Sequence, residues 1–435
     1  MIPLPLIEIA RLCPGDLQSR PGAEEITGAT IDSRLVREGD LFVAIGRGRD
    51  YLAEAMANGA AATLVPDDPY AALAALGTAV RERSGARVVA ITGSMGKTST
   101  KDILAALCRP HARTVAAQAS YNAELGVPLT LCRLEHDTEI CIVELAMRGF
   151  GQIAELCAIA QPEIGAITNV GPVHLEFVET LAGVARAKAE LLDALPANGV
   201  AIVPADVPEL ATRRPDLDVR TFGPGGGSFV ESVDSVEGGS RIRFGLRGRT
   251  LTLDFNFAVP HHATNALVAL LAYDALGLSL EDAQEGARDV AFSPWRGEEI
   301  PLPDGGLLIN DAYNANPVSM RAALALLAAR ADGRRRVAVL GDMAELGASA
   351  AGYHREVGAA AAAAGVDVLL AVGPLARGYA EAAEGVAVVR WAPTLDEGLA
   401  VLEELVEPGD CVLVKGSRAM GLEAVADALA AVAAT

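Results

Sequence analysis

Apolar and polar residues alternate in blocks that predict strands and helices in turn. Short β-branched runs, such as Val88-Val89-Ala90-Ile91, are followed by longer segments with helical periodicity, such as residues 181–195. This order predicts an α/β fold in which right-handed crossovers stack parallel strands into a doubly wound sheet. The same pattern predicts further strands at 113–116, 140–145, 164–169 and 200–204.

The chain of 435 residues is too long for one hydrophobic core, and its pattern divides it into three predicted domains. Residues 1–85 form an N-terminal α/β domain with strands at 40–45 and 62–65 and a helix at 51–59. Residues 86–297 carry the parallel-sheet pattern, and from 221 to 257 short alternating strands predict an antiparallel annex. After a linker at 293–297, residues 298–435 form a second α/β unit, with strands predicted at 307–310, 336–341, 368–372, 386–391 and 411–415.

Composition excludes several classes of function. The formal net charge of −20 disfavours nucleic-acid and anionic-membrane partners, so we expect neither. No apolar run approaches the ~18 residues of a membrane span, and the N-terminus lacks the basic region of a secretory signal. The six cysteines show no Cys-x-x-Cys or zinc spacing, which fits a reducing compartment. We predict a globular, cytoplasmic protein without a membrane span.

One stretch carries the pattern of a nucleotide-phosphate loop. The sequence Gly93-Ser94-Met95-Gly96-Lys97-Thr98 follows the strand at 88–91 and precedes an apolar helical segment at 103–107. Glycines let backbone N–H groups close around phosphate oxygens, Lys97 can reach the β- and γ-phosphates, and the Thr98 hydroxyl can ligate Mg²⁺. The spacing departs from G-x-x-x-x-G-K-[ST], because Ile91 stands where the first glycine is expected. An ordinary strand-to-helix turn is the alternative, but Gly-Lys-Thr after such a strand is rare by chance.

Three residues further along could support metal chemistry. Glu144 ends the buried strand Cys141-Ile142-Val143-Glu144, where phosphate-loop enzymes place a carboxylate that meets Mg²⁺; a solvated acid is the alternative. His174 follows the next strand, and a neutral imidazole can ligate Mg²⁺ or Mn²⁺, although a capping or core histidine is also possible. Lys188 lies in the middle of an amphipathic helical segment, and the residues alone favour a solvated lysine.

Other polar groups could hold substrates. Asp32-Ser33-Arg34 is either a capped turn or a polar cradle for the head group of a ligand. Asn265 either caps its helix or presents an amide that matches adenine. In the run Asp311-Ala312-Tyr313-Asn314-Ala315-Asn316-Pro317, Asn316 reads as a helix N-cap with proline at the first helical position. The N-cap role does not account for the other polar side chains of the run, which lie with Tyr313 at the carboxyl end of a strand.

At this point the motifs resemble those of the Mur ligases, the ATP-dependent amide-forming enzymes of bacterial peptidoglycan synthesis. The matching stretches cover nearly the whole chain in order. They are Asp32 to Arg34, Thr92 to Thr98, Ile167 to Asn169, His174 to Glu176, His262 to Asn265, Trp295 to Gly297, Asp311 to Met320, Leu340 to Gly347, Tyr353 to Gly358 and Val414 to Arg418.

The resemblance implies an N-terminal domain that holds a UDP-sugar, a central ATPase domain and a C-terminal Rossmann-like domain that receives an amine. The runs at 311–320 and 341–347 are most similar to those of family members that add D-alanyl-D-alanine to UDP-N-acetylmuramoyl-tripeptide through an acyl-phosphate. Rival readings are another Mur-type or folylpolyglutamate-type amide ligase, or, from a different class, a nucleotide-dependent kinase or switch.

The resemblance also assigns roles to individual residues, with ATP and two Mg²⁺ ions as the expected cofactors. Gly93 to Thr98 match the ATP loop, and Thr98, Glu144 and His174 match metal ligands. Lys188 stands where the family carries a carbamylated lysine that supports the second Mg²⁺; with Lys97 and His174 it is expected to be catalytic. The remaining matches are Asn265, Arg296 and Asp311 for adenine and ribose, Ser33 and Arg34 for the UDP-substrate, and Tyr313, Asn314 and Asn316 for the amine side.

The chain departs from the family pattern in three places: at Tyr51, at Arg148-Gly149-Phe150 and at Gln152, where glutamate is common. These positions bear on the sugar-nucleotide contacts and on the peptide pocket. We predict a monomer that acts on small-molecule substrates.

Overall fold

The computed structural model describes residues 1–118, 121–257 and 262–433, and it confirms the α/β fold. Of the described residues, one compact unit holds 1–169, 185–257 and 262–291, and a second holds 170–184 and 292–433. The three domains and their boundaries at 85 and 297 stay a prediction.

The N-terminal part of the first unit contains two small sheets. A four-stranded sheet has the order β2-β6-β5-β4, and β1 pairs antiparallel with β3. The predicted strand 40–45 ends earlier and the helix 51–59 starts later, because Gly46, at a φ of 56°, opens a 3₁₀ turn over Gly46–Tyr51. The elements are β1 Leu4–Pro5, α1 Leu6–Leu12, β2 Gly15–Ser19, β3 Glu25–Ile26, β4 Gly28–Thr30, β5 Asp40–Val43, α2 Leu52–Ala57, β6 Ala62–Pro66 and α3 Pro69–Arg83.

The rest of the first unit is built from the predicted alternation of strands and helices, with element bounds within two residues of the predicted ones at most positions. Its elements are β7 Arg87–Thr92, α4 Lys97–Cys108, β8 Thr114–Ala116, α5 Gly126–Leu131, β9 Ile140–Glu144, α6 Gln152–Ala160, β10 Ile164–Ile167, α7 Leu175–Val178, α8 Leu181–Ala194, β11 Val200–Pro204, α9 Pro208–Thr212, β12 Asp218–Phe222, β13 Ser228–Val236, β14 Gly239–Leu246, β15 Arg249–Phe255, α10 His262–Ala275 and α11 Gln284–Ala287. Of these, α7 and the first turn of α8 belong to the second unit.

These strands form one nine-stranded sheet with the order β15-β14-β13-β12-β11-β10-β7-β9-β8. Strand β7 lies between β9 and β10, where the strand order reverses, and in such sheets ligands bind at the carboxyl ends of the strands at this point. The predicted antiparallel annex is confirmed for β13 to β15. It continues the same sheet rather than standing apart, because Ser228 of β13 pairs in parallel with Phe222 of β12.

The second unit has a six-stranded sheet with the order β16-β17-β21-β18-β19-β20, parallel except for β16. Alternate residues of β18 supply the cores on both faces, Ala338 and Leu340 on one and Val337 and Val339 on the other. The predicted strand 386–391 begins two residues later, at Val388. The elements are β16 Glu298–Pro301, β17 Leu307–Asn310, α12 Pro317–Arg330, β18 Arg336–Gly341, α13 Ala350–Ala363, β19 Val368–Val372, α14 Arg377–Ala382, β20 Val388–Ala392, α15 Leu395–Leu405, β21 Cys411–Lys415 and α16 Glu423–Ala433.

Within the described ranges, no helix combines the length and the apolar character that crossing a membrane requires.

Candidate active site

The predicted phosphate loop joins the central strand β7 to helix α4. Helix α4 begins at Lys97, six residues before the predicted apolar segment 103–107. Because Lys97 and Thr98 also belong to the loop motif, the N–H groups of the first helical turn lie at the loop. Such a helix N-terminus favours anions through its oriented N–H groups and its dipole. The Lys97 ammonium folds back over the loop and donates to the Gly93 carbonyl at 2.9 Å.

Both glycines of the loop are required by their surroundings. Gly93 has a φ of 153°, and a Cβ there would lie 1.9 Å from Thr168 Oγ1. Gly96 has a φ of 78°, and a Cβ there would lie 2.4 Å from Asn265 Oδ1. The residue in place of the missing first glycine, Ile91, is a buried part of strand β7. The irregular spacing is therefore compatible with a loop whose turn begins only at Gly93.

The strand next to β7 supplies side chains that hold the loop. Asn169 Oδ1 accepts hydrogen bonds from the backbone N–H groups of Ser94 and Met95, both at 3.0 Å. Thr168 Oγ1 donates to the Met95 carbonyl at 2.5 Å. No role was predicted for either residue from the sequence. Their position directly after β10, in the strand adjacent to the loop, was the signal that could have identified them.

Glu144 is buried and lies against the loop, which rules out the solvated-acid alternative. Its Oε2 accepts from Thr98 Oγ1 at 2.7 Å, and its Oε1 accepts from Asn122 Nδ2 at 2.7 Å. Asn122 was not identified from the sequence. A hydroxyl and a carboxylate in contact at a phosphate loop are a donor set that suits a hard cation such as Mg²⁺.

Lys188 is buried, with 2 % of its surface exposed, so the solvated reading favoured by the residues alone is wrong. It lies on the buried face of α8, four residues after Val184 and three before Leu191, both of which are fully buried. Burial, with a further contribution from the charge of Lys97, holds the pKa of the Lys188 amine well below its ordinary value of 10.5. The neutral form of this amine is therefore favoured relative to that of an exposed lysine.

Asn265 lies in the first turn of α10, and its side chain is buried. Its oxygen faces Gly96, and its amide nitrogen donates to His262 Nδ1 at 3.2 Å. The structure thus brings Asn265 to the phosphate loop, together with Lys97, Thr98, Glu144 and Lys188, all within the first unit.

His174 belongs to the second unit, within the segment 170–184. Its Nδ1 lies 2.5 Å from Glu345 Oε2, a contact that links residues 171 positions apart. Its backbone has a φ of 53°, and although it stands at the N-cap position of α7, its side chain makes no capping bond. The capping and core alternatives are therefore wrong, since the ring is bound by a carboxylate and is about a quarter exposed.

The polar run after β17 is held by a buried lysine. Lys415 Nζ donates to Asp311 Oδ2 at 2.6 Å and to the Asn314 carbonyl at 2.8 Å. The Arg296 guanidinium stacks 3.9 Å from the centre of the Tyr313 ring. Asn316 caps α12 as predicted, in a reciprocal pair of bonds with Ser319, so its amide is used structurally.

The polar triplet at 32–34 forms the capped turn that the sequence allowed. Asp32 accepts from the backbone and side chain of Arg34, which lowers the pKa of its carboxyl to about 2. The Ser33 hydroxyl donates to Glu54 at 2.9 Å. Arg34 remains largely exposed outside this pair, so the predicted role in holding a UDP-substrate stays a prediction.

The positions that depart from the family pattern make local contacts. Gln152 Oε1 accepts from the backbone N–H groups of Arg148 and Gly149, and the Arg186 guanidinium lies 4.2 Å from the centre of the Phe150 ring. Tyr51 is exposed at the end of its 3₁₀ turn.

No group of three or more His, Cys, Asp or Glu side chains that could hold a metal occurs in the part of the chain that the structure describes. The predicted ligands Glu144 and His174 belong to different compact units. The two expected Mg²⁺ sites stay a prediction.

Comparison with known proteins identifies the family. The Mur ligase middle domain matches residues 91–273, and the Mur ligase, glutamate ligase domain matches residues 295–418. The UDP-N-acetylmuramoyl-tripeptide--D-alanyl-D-alanine ligase of Escherichia coli K12 is 34% identical, over 99% of both chains. The chain belongs to the Mur ligase family.

Solved Mur ligases have the same architecture. MurF from Acinetobacter baumannii is similar with a TM-score of 0.83 and 30% identity, covering 99% of both chains. A MurF ligase from Thermotoga maritima, solved in complex with ADP, is similar with a TM-score of 0.78 and 27% identity, covering 94% of this chain and 98% of that one. The expected resemblance to the Mur ligases and the expected ligase class are thereby confirmed, and ATP dependence follows from the family.

Proposed function

We propose that this Mur ligase joins D-alanyl-D-alanine to UDP-N-acetylmuramoyl-tripeptide with hydrolysis of ATP to ADP and phosphate, in the synthesis of peptidoglycan precursors. The observation that carries the proposal is similarity along nearly the entire chain to ligases whose names state this reaction, from Escherichia coli K12 and Bacillus subtilis 168. The phosphate loop, with its buried Thr98–Glu144 pair, supplies the ATP chemistry that the reaction requires.

The reaction balances through an acyl-phosphate. The terminal carboxylate of the tripeptide attacks the γ-phosphorus of ATP, and the bond to ADP breaks. The amine of the dipeptide then attacks the acyl carbon and loses a proton, the C–O bond to phosphate breaks, and the amide forms. Lys97 is the cation placed to neutralise charge on the transferring phosphoryl group, and the N–H groups of the loop hold the phosphates in line.

Mg²⁺ fits the residues present at the phosphate loop. The contact between the Thr98 hydroxyl and the Glu144 carboxylate brings together two hard oxygen donors, and Asn122 fixes the second carboxylate oxygen. Bound Mg²⁺ would neutralise charge on the phosphates. We assign Thr98 and Glu144 to one Mg²⁺ ion. The roles predicted for His174, as a metal ligand, and for Lys188, as a carbamylated support of the second Mg²⁺, are part of the same proposal.

The environment of Lys188 supports carbamylation. A neutral amine can add to carbon dioxide and lose a proton, which yields an anionic carbamate with oxygen donors. Burial and the nearby charge of Lys97 keep the pKa of the Lys188 amine low, which favours the neutral form that this addition needs. The product would place a negative charge beside Lys97 in place of a second cation.

The rival functions differ in what they release. A folylpolyglutamate-type or other Mur-type ligase would prefer a different amine, a kinase would transfer phosphate to a stable product, and a switch would hydrolyse ATP without an amine. The proposal is tested by phosphate release. Release should require both UDP-N-acetylmuramoyl-tripeptide and D-alanyl-D-alanine, and release that is independent of the dipeptide would refute it.

The proposal includes a cytoplasmic location and a monomeric state for this ligase. Six free, buried thiols fit a reducing compartment, and the proposed substrates are UDP-linked precursors. Light scattering should give the mass of one chain, and a mass of two chains would contradict the monomer.

A further inference from the structure

The loop that follows β18, residues 342–346, is held at its beginning by the side chain of Asp342. Asp342 is buried, and its carboxylate accepts from the backbone N–H groups of Leu375 and Ala376, at 3.3 and 2.6 Å. Gly373 packs so closely on this carboxylate that a Cβ at residue 373 would lie 2.5 Å from it. The beginning of the loop is thus tied to the segment that follows β19.

Two further buried side chains hold the next residues of the loop. His354 Nε2 accepts from the Met343 N–H at 3.0 Å, and its Nδ1 faces the Ala350 carbonyl at 2.7 Å. Ser417 Oγ accepts from the Ala344 N–H at 2.8 Å. Successive backbone groups of the loop are therefore fixed by side chains from α13 and from the segment after β21.

Glu345 is the next residue, and the fixed loop holds it in an unfavourable backbone conformation. Its φ is 61°, in the left-handed region that few residues other than glycine adopt. His174, which it contacts, also has a positive φ, of 53°. Left-handed backbone at two residues that meet through their side chains is the kind of local strain that clusters at functional sites.

The contact between His174 and Glu345 places a proton on Nδ1 of the ring. An ionised carboxylate only accepts hydrogen bonds, so a bond from His174 Nδ1 to Glu345 requires the proton on Nδ1. With that proton on Nδ1, a neutral ring has its lone pair on Nε2. A carboxylate that orients a histidine in this way is a common second partner of metal-binding histidines.

We propose that Glu345 is a positioning residue, which binds His174 Nδ1–H and thereby presents His174 Nε2 as the ligand for a divalent cation. This inference rests on the proposed function, in which His174 is a metal ligand. The new element is Glu345, which sets the tautomer and orientation of the His174 ring. The contacts of Asp342, His354 and Ser417 with the loop hold Glu345 in place.

Three variants of Glu345 distinguish an effect on the orientation of the His174 ring from a loss of folding. Glu345→Ala removes the acceptor, whereas Glu345→Gln keeps an oxygen that can accept from Nδ1–H. Glu345→Met, of similar length but without an acceptor, replaces the alanine variant if the latter melts early. Glu384→Ala is the matched control, because Glu384 is an exposed glutamate of the same unit. Outer partners of this kind are worth about 10–100-fold in metal affinity or activity.

The test combines a spectroscopic and a kinetic measurement. Nitrogen-15 NMR of the histidine rings without metal, with the His174 signal assigned by its loss in His174→Asn, should show the Nδ1–H tautomer in the unaltered protein and in Glu345→Gln. Glu345→Ala should lose this preference, and the Mg²⁺ concentration for half-maximal ligation should rise about 10–100-fold. An unchanged tautomer and Mg²⁺ dependence in Glu345→Ala or Glu345→Met, with normal ligation, would overturn the inference.

The same experiment distinguishes this inference from the proposed function. If the unaltered protein forms no ligation product while its His174 tautomer still depends on Glu345, the proposed function fails and the positioning of the ring stands.

Discussion

The Thr98 hydroxyl donates to the Glu144 carboxylate at 2.7 Å, and this contact joins the phosphate loop to the end of the neighbouring strand β9. It places a potential Mg²⁺ ligand from the loop against one from the strand. Both residues are buried, so their contact is shielded from bulk water.

Replacing Glu144 should disable Mg²⁺-dependent turnover. Glu144→Gln keeps the size of the side chain but removes its charge, so we expect the rate of ligation to fall by roughly 10²–10³-fold, as for other lost electrostatic contacts in active sites. Ligation should be measured across a range of Mg²⁺ concentrations. The exposed Glu155 provides the control Glu155→Gln. Equal rates for both variants would exclude Glu144 from the metal site.

Replacing Lys97 should abolish turnover while leaving the fold intact. Without its ammonium, charge on the transferring phosphoryl group loses its counterion, and we expect Lys97→Ala to reduce phosphate release by at least about 10³-fold. Circular dichroism should show an unchanged helix content. Arg109→Ala, at an exposed residue beyond the end of α4, is the control. Near-normal rates in Lys97→Ala would refute the assignment of the ATP loop.

Carbamylation of Lys188 should be directly visible. The chain contains only four lysines, Lys97, Lys101, Lys188 and Lys415, so carbon-13 NMR after exchange with labelled bicarbonate has few candidate sites. Lys101 and Lys415 each form an ion pair, with Asp102 and Asp311 respectively, which occupies their ammonium groups. We expect one carbamate signal that disappears in Lys188→Ala.

Activity supplies a second measure of the same modification. Lys188→Ala should lose ligation, and a short carboxylate such as acetate should restore part of it, because the added carboxylate replaces the missing oxygen ligand. A carbamate signal that persists in Lys188→Ala, or full activity of that variant without added carboxylate, would contradict the assignment.

Stability should depend on pH through His354. Burial lowers the pKa of the His354 imidazole below its ordinary value of 6.5, so the unfolded state binds more protons in the interval between the folded and unfolded pKa values. Stability therefore falls as the pH drops below about 6.5. The melting temperature should decrease between pH 7.5 and 5.5, and the decrease should be smaller in His354→Gln. An identical pH dependence in both proteins would show that His354 does not titrate on unfolding.

The sequence predicted the local parts of this site and missed those that depend on long-range packing. The run 91–101 encodes strand, glycine turn and helix within eleven residues, so its conformation follows from nearby residues. The contact of His174 with Glu345 joins residues 171 positions apart, and only the folding of β18 and its loop brings them together. No periodicity along the chain could have indicated it.

For Lys188, the sequence contains a pattern that indicates burial, although the residue type alone favours a solvated side chain. Its spacing from Val184 and Leu191 places it on the apolar face of α8, whereas a solvated lysine would lie on the opposite face. A charged residue at a buried helical position is rarely accidental, because burial disfavours its charge. The role that the resemblance to the family gives Lys188 stays a prediction.

The most direct test of the central proposal is the mass of the ligation product. The protein should be incubated with ATP, Mg²⁺ and UDP-N-acetylmuramoyl-tripeptide, and the amine donor should be varied among D-alanyl-D-alanine, D-alanine, L-lysine, diaminopimelate and glutamate. We predict that only D-alanyl-D-alanine yields a new UDP-linked species, heavier by the dipeptide less one water, with one phosphate released per product. A product formed with one of the other amines and none with D-alanyl-D-alanine would contradict the proposed function.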